Sequence, residues 1–280
     1  MNSKDLYDKT CLECSKLITE KYSTSFSLGI KAFHSSLQLP IYAIYGLVRY
    51  ADEIVDTFHD FNKEQLLDRF ESETKLAVEE KISLNPILQA FQLTFHKYKM
   101  DYTQVDAFFK SMRMDLEKTS YERPDYEEYI YGSAEVVGLM CLRIFTEGNQ
   151  EMYDKLVPSS KTLGAAFQKI NFLRDLKDDF KDKGRSYFPG VDFEKFDNIS
   201  KATLEKEIKE DFNAALIGIK QLPDSSRLGV YLAYRYYCGL FKKIQSIKAE
   251  RILTERIRIS DSVKYLMFAE AFAKNKFHVI

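Results

Sequence analysis

The 280-residue chain has no tryptophan, only 4 cysteines and 4 histidines, 11 glycines and 6 prolines, and no excess of either charge. Each scarcity excludes something. Lys+Arg 41 against Asp+Glu 42 leaves a net charge of −1 with no basic block, which argues against nucleic acid as a partner. So few glycines and prolines leave no room for a flexible linker, and no alternating strands or internal repeats appear. Long stretches of 3.6-residue periodicity predict an all-α chain in a single domain over residues 1–280. No apolar run approaches the ~20 residues needed to span a bilayer. The longest, VVGLMCL at 136–142, suits a buried helix. The start, MNSKDLYDKTCLECSK, has neither an apolar signal core nor an acid-free transit pattern. The few cysteines fit a reducing compartment. Cys11-x-x-Cys14, without a second pair or a nearby histidine, reads better as two thiols on a helix than as a redox or metal site.

What the chain does have is apolar mass: 45% hydrophobic residues, with 18 Tyr and 21 Phe, enough to bury a large core. A helix is expected over Asp5–Tyr22, with Leu6, Cys14, Leu17 and Ile18 facing inward. The hydroxyl-rich STSFSLG after it suits a cap or an anion site. Pro40 is placed to open the next helix, and Pro158 to precede a later, central one. Further helices are expected at Lys63–Lys81, from Pro86 to about Lys99, at Tyr102–Lys118 and from about Tyr126 to Glu147. Val191–Ser200 reads as a loop, with Ala202–Leu222 and Asp224–Lys248 helical around Pro223. Asp115, inside the apolar SMRMDL, either supports a site or serves as a cap or ion-pair partner.

Two stretches carry the chemistry. In GAAFQKINFLRDLKDDFKDKGRSYFP, from Gly164 to Pro189, residues Gln168, Asn171, Asp175 and Asp179 fall within roughly 80° of a helix circumference. That is a polar stripe beside an apolar one of Phe172, Leu176 and Phe180. In IYAIYGLVRYADEIVD, Tyr45, Arg49, Asp52 and Asp56 share roughly 60°. Its surroundings are apolar, so the carboxylates need partners. Two helices, each with aspartates at i, i+4, imply a cation between them. Oxygen ligands alone favour Mg²⁺, with Mn²⁺ as an alternative, over zinc. Because Mg²⁺ keeps few protein carboxylates and completes its shell with water and phosphate, a diphosphate is the natural ligand.

Tyr45–Asp56, as YxxxRxADExxD, and the Gly164–Pro189 stretch together resemble the two signatures of the phytoene/squalene synthases, the head-to-head isoprenoid synthases. Weaker likenesses are Tyr22-Ser-Thr-Ser-Phe26, the YIYGSAEVVG segment at Tyr129–Gly138, and Tyr237 with TERIRIS around Arg256. The resemblance implies an isoprenoid-synthase-type helical bundle with the two aspartate helices facing over a central cavity. It implies prenyl diphosphate substrates, with Asp52, Asp56, Asp175 and Asp179, together with Asn171, holding the metal. Tyr45, Tyr129 and Tyr237 would line up with the metal face and stabilise carbocations through their ring faces. Ser23, Ser25, Phe26, Ala134, Val137, Gly138 and Gln168 would contact substrate. Arg49, Arg174, Arg185 and Arg256 are the candidates to hold phosphate oxygens. Arg185 lies in a Gly-containing stretch expected to close over the site.

The product implied passes through a cyclopropylcarbinyl diphosphate. Proton loss then gives phytoene from two geranylgeranyl diphosphates; reduction by NADPH gives squalene from two farnesyl diphosphates. A C-terminus without the membrane anchor of eukaryotic squalene synthases, and no GxGxxG, favour phytoene without NADPH. The most similar type is a bacterial phytoene synthase, expected to be cytoplasmic, with peripheral association at the inner membrane face. A head-to-tail elongase would carry Asp-Asp-x-x-Asp where this chain has Asp52-Glu53-x-x-Asp56.

Overall fold

The computed structural model describes residues 2–182, 184–191 and 196–260, together with residues 263, 264, 267 and 270. It is an all-α bundle; among the described residues the β content is an isolated bridge between Ser120 and Ser186. The helices are α1 (Ser3–Tyr22), α2 (Thr24–Ile30), α3 (Ser35–Asp56), α4 (Lys63–Glu80), α5 (Pro86–Lys97) and α6 (Tyr102–Glu117). Then follow α7 (Arg123–Ile130), a π-helical turn (Tyr131–Glu135) and α8 (Val136–Phe145). The chain continues with α9 (Gln150–Lys177) and a second π turn (Asp178–Asp182), then α10 (Asn198–Ile219), α11 (Asp224–Gln245) and α12 (Ala249–Ile252). No helix of the described residues is long and apolar enough to cross a membrane.

Each boundary has a local cause. Asn2 and Asp5 form a reciprocal capping box on α1. Ser23 caps α2, and Asn62, Asn85, Asp101, Asn149 and Asp197 cap α4, α5, α6, α9 and α10 with their side-chain oxygens. Pro40 and Pro158 depart from the expectation that prolines sit at helix ends: both lie inside helices, α3 and α9. A mid-helix proline strips the donor from the carbonyl four residues back. Here those carbonyls belong to Ser36 and Asp154, both exposed, so water can take the place of the missing N–H. The central helix therefore starts at Gln150, not after Pro158. Asn198 begins a helix where a loop was expected, and residues 192–195 lie outside the described residues.

The expected inward face of α1 is also corrected. Leu6 and Leu17 are exposed, and the buried stripe is Cys11, Ser15 and Thr19. Small side chains there let α1 lie close on α3: a Cβ on Gly46 would come within 2.9 Å of the Ser15 hydroxyl oxygen. Cys11 and Cys14 are free thiols.

Two long helices organise the interior. α3 packs against α1, α5, α6 and α8, and α9 against α8, α10, α11 and the first π turn. The α9 contact with that turn is backbone on backbone. A Cβ on Gly164 would lie 2.8 Å from the Ala134 carbonyl oxygen, and one on Gly132 would overlap the Ala107 carbonyl. Extra volume at such contacts typically costs about 1–3 kcal/mol. We therefore expect Gly164→Ala and Gly132→Ala each to lower the unfolding free energy by an amount in that range, read as a lowered urea midpoint. Gly29→Ala, whose Cβ meets nothing within 4 Å, should be neutral or slightly stabilising by the helix propensity of alanine. Equal midpoints for all three variants would show that the close approach is not tight.

Candidate active site

The helices α2, α8, α9 and α11 surround a cavity of about 380 Å³. Its walls are largely apolar, including Ile30, Val137, Leu163 and Val230, while Ser23, Asn171, Arg174 and Tyr237 supply polar atoms to its lining. Phe33 and Phe145, stacked with centroids 5.0 Å apart, line it as well. Of the residues read from sequence as contacting substrate, Ser23, Phe26, Ala134, Val137, Gly138, Asn171 and Arg174 line this cavity, as does Tyr237. Ser23 both caps α2 and hydrogen-bonds Tyr45, whose ring packs on Phe26 at 4.9 Å. The side chain of Ser25 lies outside the described residues. Gln168 stands one turn from Asn171 and accepts a bond from its amide at 3.4 Å.

Tyr237 stacks face to face on Phe167 at 3.9 Å and donates to the Asn171 carbonyl oxygen at 3.1 Å. Burial pushes its hydroxyl pKa up, as it does for Tyr45. Tyr129 is different. It is buried away from the cavity lining, and its hydroxyl donates at 2.6 Å to Asp115. Its ring packs against Tyr121, Phe172 and Tyr187.

The aspartates form two groups, each answered by arginine. On α3, Asp52 lies 3.9 Å from Arg49, which also pairs with Glu53 and stacks over the Tyr22 ring at 4.6 Å. Asp56 lies 3.4 Å from Arg185. On α9, Asp175 takes Arg174 at 2.5 Å and Arg256 at 2.8 Å. Asp179 sits in the second π turn, which widens the helix and shifts it from the ideal one-turn stack on Asp175. Its carbonyl accepts from the Arg185 backbone at 2.8 Å. Arg185, far from being a free flap residue, is only 12% exposed and docked. Arg256, 41% exposed, reaches in from the C-terminal segment.

Negative charge is in excess at Asp52. Its carboxyl pKa is pushed up to about 7, chiefly by desolvation. Arg49 opposes the rise, and Asp56, Asp115 and Glu53 add to it. Its side chain still keeps 35% of its surface open, so a ligand can reach it. Among the described residues no three His, Cys, Asp or Glu side chains form a ready-made metal cluster. A hard cation such as Mg²⁺ takes one or two carboxylates and fills its shell with water and phosphate oxygens. The oxygen-only donors and the raised Asp52 both fit such an ion.

The family model described as squalene/phytoene synthase matches residues 19–262. Phytoene synthase 1, chloroplastic, of Zea mays is 25% identical over 296 residues, covering 97% of this chain and 69% of that protein. The 4,4'-diapophytoene synthase of Staphylococcus haemolyticus is 25% identical over 282 residues, covering 92% and 95%. Among solved structures, a dehydrosqualene synthase in complex with ligand superposes with a TM-score of 0.82 at 22% identity, covering 96% of this chain and 98% of that one. Squalene synthase HpnC from Alicyclobacillus acidocaldarius gives 0.74 at 21% identity, covering 86% and 95%. At these identities the structural likeness speaks for the fold alone.

The raised Asp52 pKa has a definite sign. The folded, metal-free protein holds a proton on Asp52 more tightly than the unfolded chain does. Its contribution to stability is therefore full below about pH 4 and is lost as pH rises to about 7. A cation competes with that proton, so its affinity should fall about tenfold per pH unit below 7. We expect the thermal shift caused by MgCl₂ to be large at pH 8 and small at pH 5.5, with the dependence weakened in Asp52→Asn. A shift independent of pH would place the ion elsewhere.

Proposed function

The chain belongs to the squalene/phytoene synthase family, and from that premise we propose that it joins two geranylgeranyl diphosphates head to head into phytoene. The family's synthases condense prenyl diphosphates in this way and generally use a divalent metal to ionise the diphosphate. The observation that carries the reading is the apolar cavity whose lining reaches Asn171, Arg174 and Tyr237, beside two arginine-answered aspartate pairs. Along α9 it runs from Arg174 to Ser160, roughly 21 Å at ~1.5 Å per residue, a depth suited to a long prenyl tail.

In this reading Asp52, Asp56, Asp175 and Asp179, with Asn171, would hold Mg²⁺ or Mn²⁺, which when bound neutralises charge on the leaving diphosphate. Arg174, Arg185 and Arg256 supply guanidinium forks to phosphate oxygens, and Arg49 orients Asp52 and Glu53. The aliphatic walls exclude water that would quench an allylic cation. Tyr237 and Phe167 present stacked ring faces, and Tyr45 with Phe26 a second pair, against developing positive charge. Gln168 orients Asn171. Proton loss, without NADPH, ends the sequence.

A C15 reading, giving dehydrosqualene from two farnesyl diphosphates, is supported by the 25% identity to the 4,4'-diapophytoene synthase of Staphylococcus haemolyticus. Product analysis separates them. With Mg²⁺ and geranylgeranyl diphosphate alone we expect a conjugated C40 triene, seen by its ultraviolet absorbance, and no effect of NADPH. A C30 triene formed only from farnesyl diphosphate would transfer the assignment to the second reading. A saturated-centre C30 product that requires NADPH would overturn both.

EDTA should abolish turnover. Asp52→Asn and Asp175→Asn should each lower kcat by about a hundredfold or more, in line with the loss of one electrostatic group at a reacting centre. Far-ultraviolet circular dichroism should be unchanged. Near-wild-type rates in either variant would remove that residue from the site.

A further inference from the structure

Asp115 lies in the last turn of α6, is 8% exposed, and collects donors from three separate segments. Tyr121 and Tyr187 donate to its Oδ1 at 3.2 and 2.9 Å, and Tyr129 to its Oδ2 at 2.6 Å. Arg185 bonds its backbone carbonyl through Nη2 at 2.7 Å and brings Nη1 to 3.9 Å from Oδ1. Burial raises the Asp115 carboxyl pKa, while Arg185 and the tyrosine hydroxyls oppose the rise. The position next to an N-cap is excluded, since Asp115 sits at the far end of its helix.

The geometry around it is directional. Arg185 reaches Asp56 with the same Nη1, while its backbone N–H is bound to the Asp179 carbonyl. One residue thus links the first aspartate helix, through its guanidinium, to the turn that carries the last aspartate of the second, through its backbone N–H. The residues on either side of it are fastened to α6 and α9. Ser186 donates its N–H to the Thr119 carbonyl at 2.8 Å, and the Tyr187 ring lies flat on Phe172 of α9 at 4.2 Å. Without the Asp115 carboxylate, Arg185 would keep its bond to the Asp115 backbone carbonyl and its pull toward Asp56, but lose the opposing charge 3.9 Å from Nη1. The Tyr187 hydroxyl would lose its acceptor.

We propose that Asp115 is a positioning residue for the diphosphate site: it holds Arg185 and the 184–189 segment at the distance from Asp56 and Asp179 at which the guanidinium meets phosphate. This rests on the reading of Arg185 as a diphosphate ligand. Asp115 itself touches no substrate in this scheme. It acts through Arg185, and its effect must therefore be coupled to that residue.

The test is a double-mutant cycle read on inorganic pyrophosphate. Binding to the full chain is measured by calorimetry in excess Mg²⁺ for wild type, Asp115→Asn, Arg185→Lys and the double variant. Arg185→Lys should weaken binding by about tenfold through loss of the bidentate fork. Asp115→Asn, nearly isosteric, should weaken it by a similar factor, and the double variant no further than the weaker single one. Multiplying fold-changes would overturn the proposal. So would an Asp115→Asn protein of lowered melting temperature and unchanged pyrophosphate affinity, which is the mark of a fold anchor alone. If Arg185→Lys binds pyrophosphate as tightly as wild type, the reading of the site falls first, and this inference with it. Tyr187→Phe keeps the charge and removes one anchor, so it serves in the same cycle where Asp115→Asn does not fold, under the same criterion.

Discussion

Carboxylates set close together in a partly dry interior repel one another, and the site is arranged around that repulsion. The Asp52 carboxyl is held near 7 chiefly by desolvation, and the charges of Asp56 and Asp115 add to that rise. Arginines answer part of it, Arg49 and Arg185 on one side, Arg174 and Arg256 on the other. Removing one partner from such a set leaves an uncompensated charge, far costlier than never having placed the pair. In the proposed reading, the residual negative charge at Asp52 would favour a hard cation, whose remaining coordination positions an anionic ligand would share.

Holding that arrangement requires rigid elements, and the bundle provides them through a large apolar core together with close backbone contact. α9 lies on the first π turn where Gly164 faces Ala134, and the turn in turn lies on α6 at Gly132. Such approaches fix the spacing of α6, α8 and α9 within a few tenths of an ångström, because closely packed atoms resist compression. Among the described residues, both π turns occur at candidate site positions: one in the cavity wall at Ala134, the other at Asp179. A π turn shifts every later side chain around the axis, so it re-aims residues without bending the helix out of the core.

The apolar and charged parts of the site are kept separate. Ring stacks at Tyr237–Phe167 and Phe33–Phe145 belong to the cavity. The cluster of Tyr121, Tyr129 and Tyr187 lies outside the cavity lining and turns its hydroxyls to Asp115. Aromatic residues thus serve two unlike purposes within one small region: π faces toward the cavity, and donors toward a buried carboxylate.

The periodicity of the chain by itself determined the all-α class, and the i, i+4 spacing of Asp52 with Asp56 and Asp175 with Asp179 disclosed the two polar stripes. Local pattern suffices there, because a helix face is set by neighbours three and four residues away. The same logic failed where the deciding neighbour is distant in sequence. Leu6 and Leu17 look like an inward face of α1, yet Cys11, Ser15 and Thr19 are buried because Gly46 of α3 admits small side chains there. Pro40 and Pro158 read as helix starts, but solvent at Ser36 and Asp154 makes them tolerable inside. Tyr129 and Asp115 could be assigned only by tertiary structure. A hydroxyl and a carboxylate 14 positions apart bond to each other because a π turn and a backbone-close helix contact bring α6 and α7 together, and no local pattern encodes that distance.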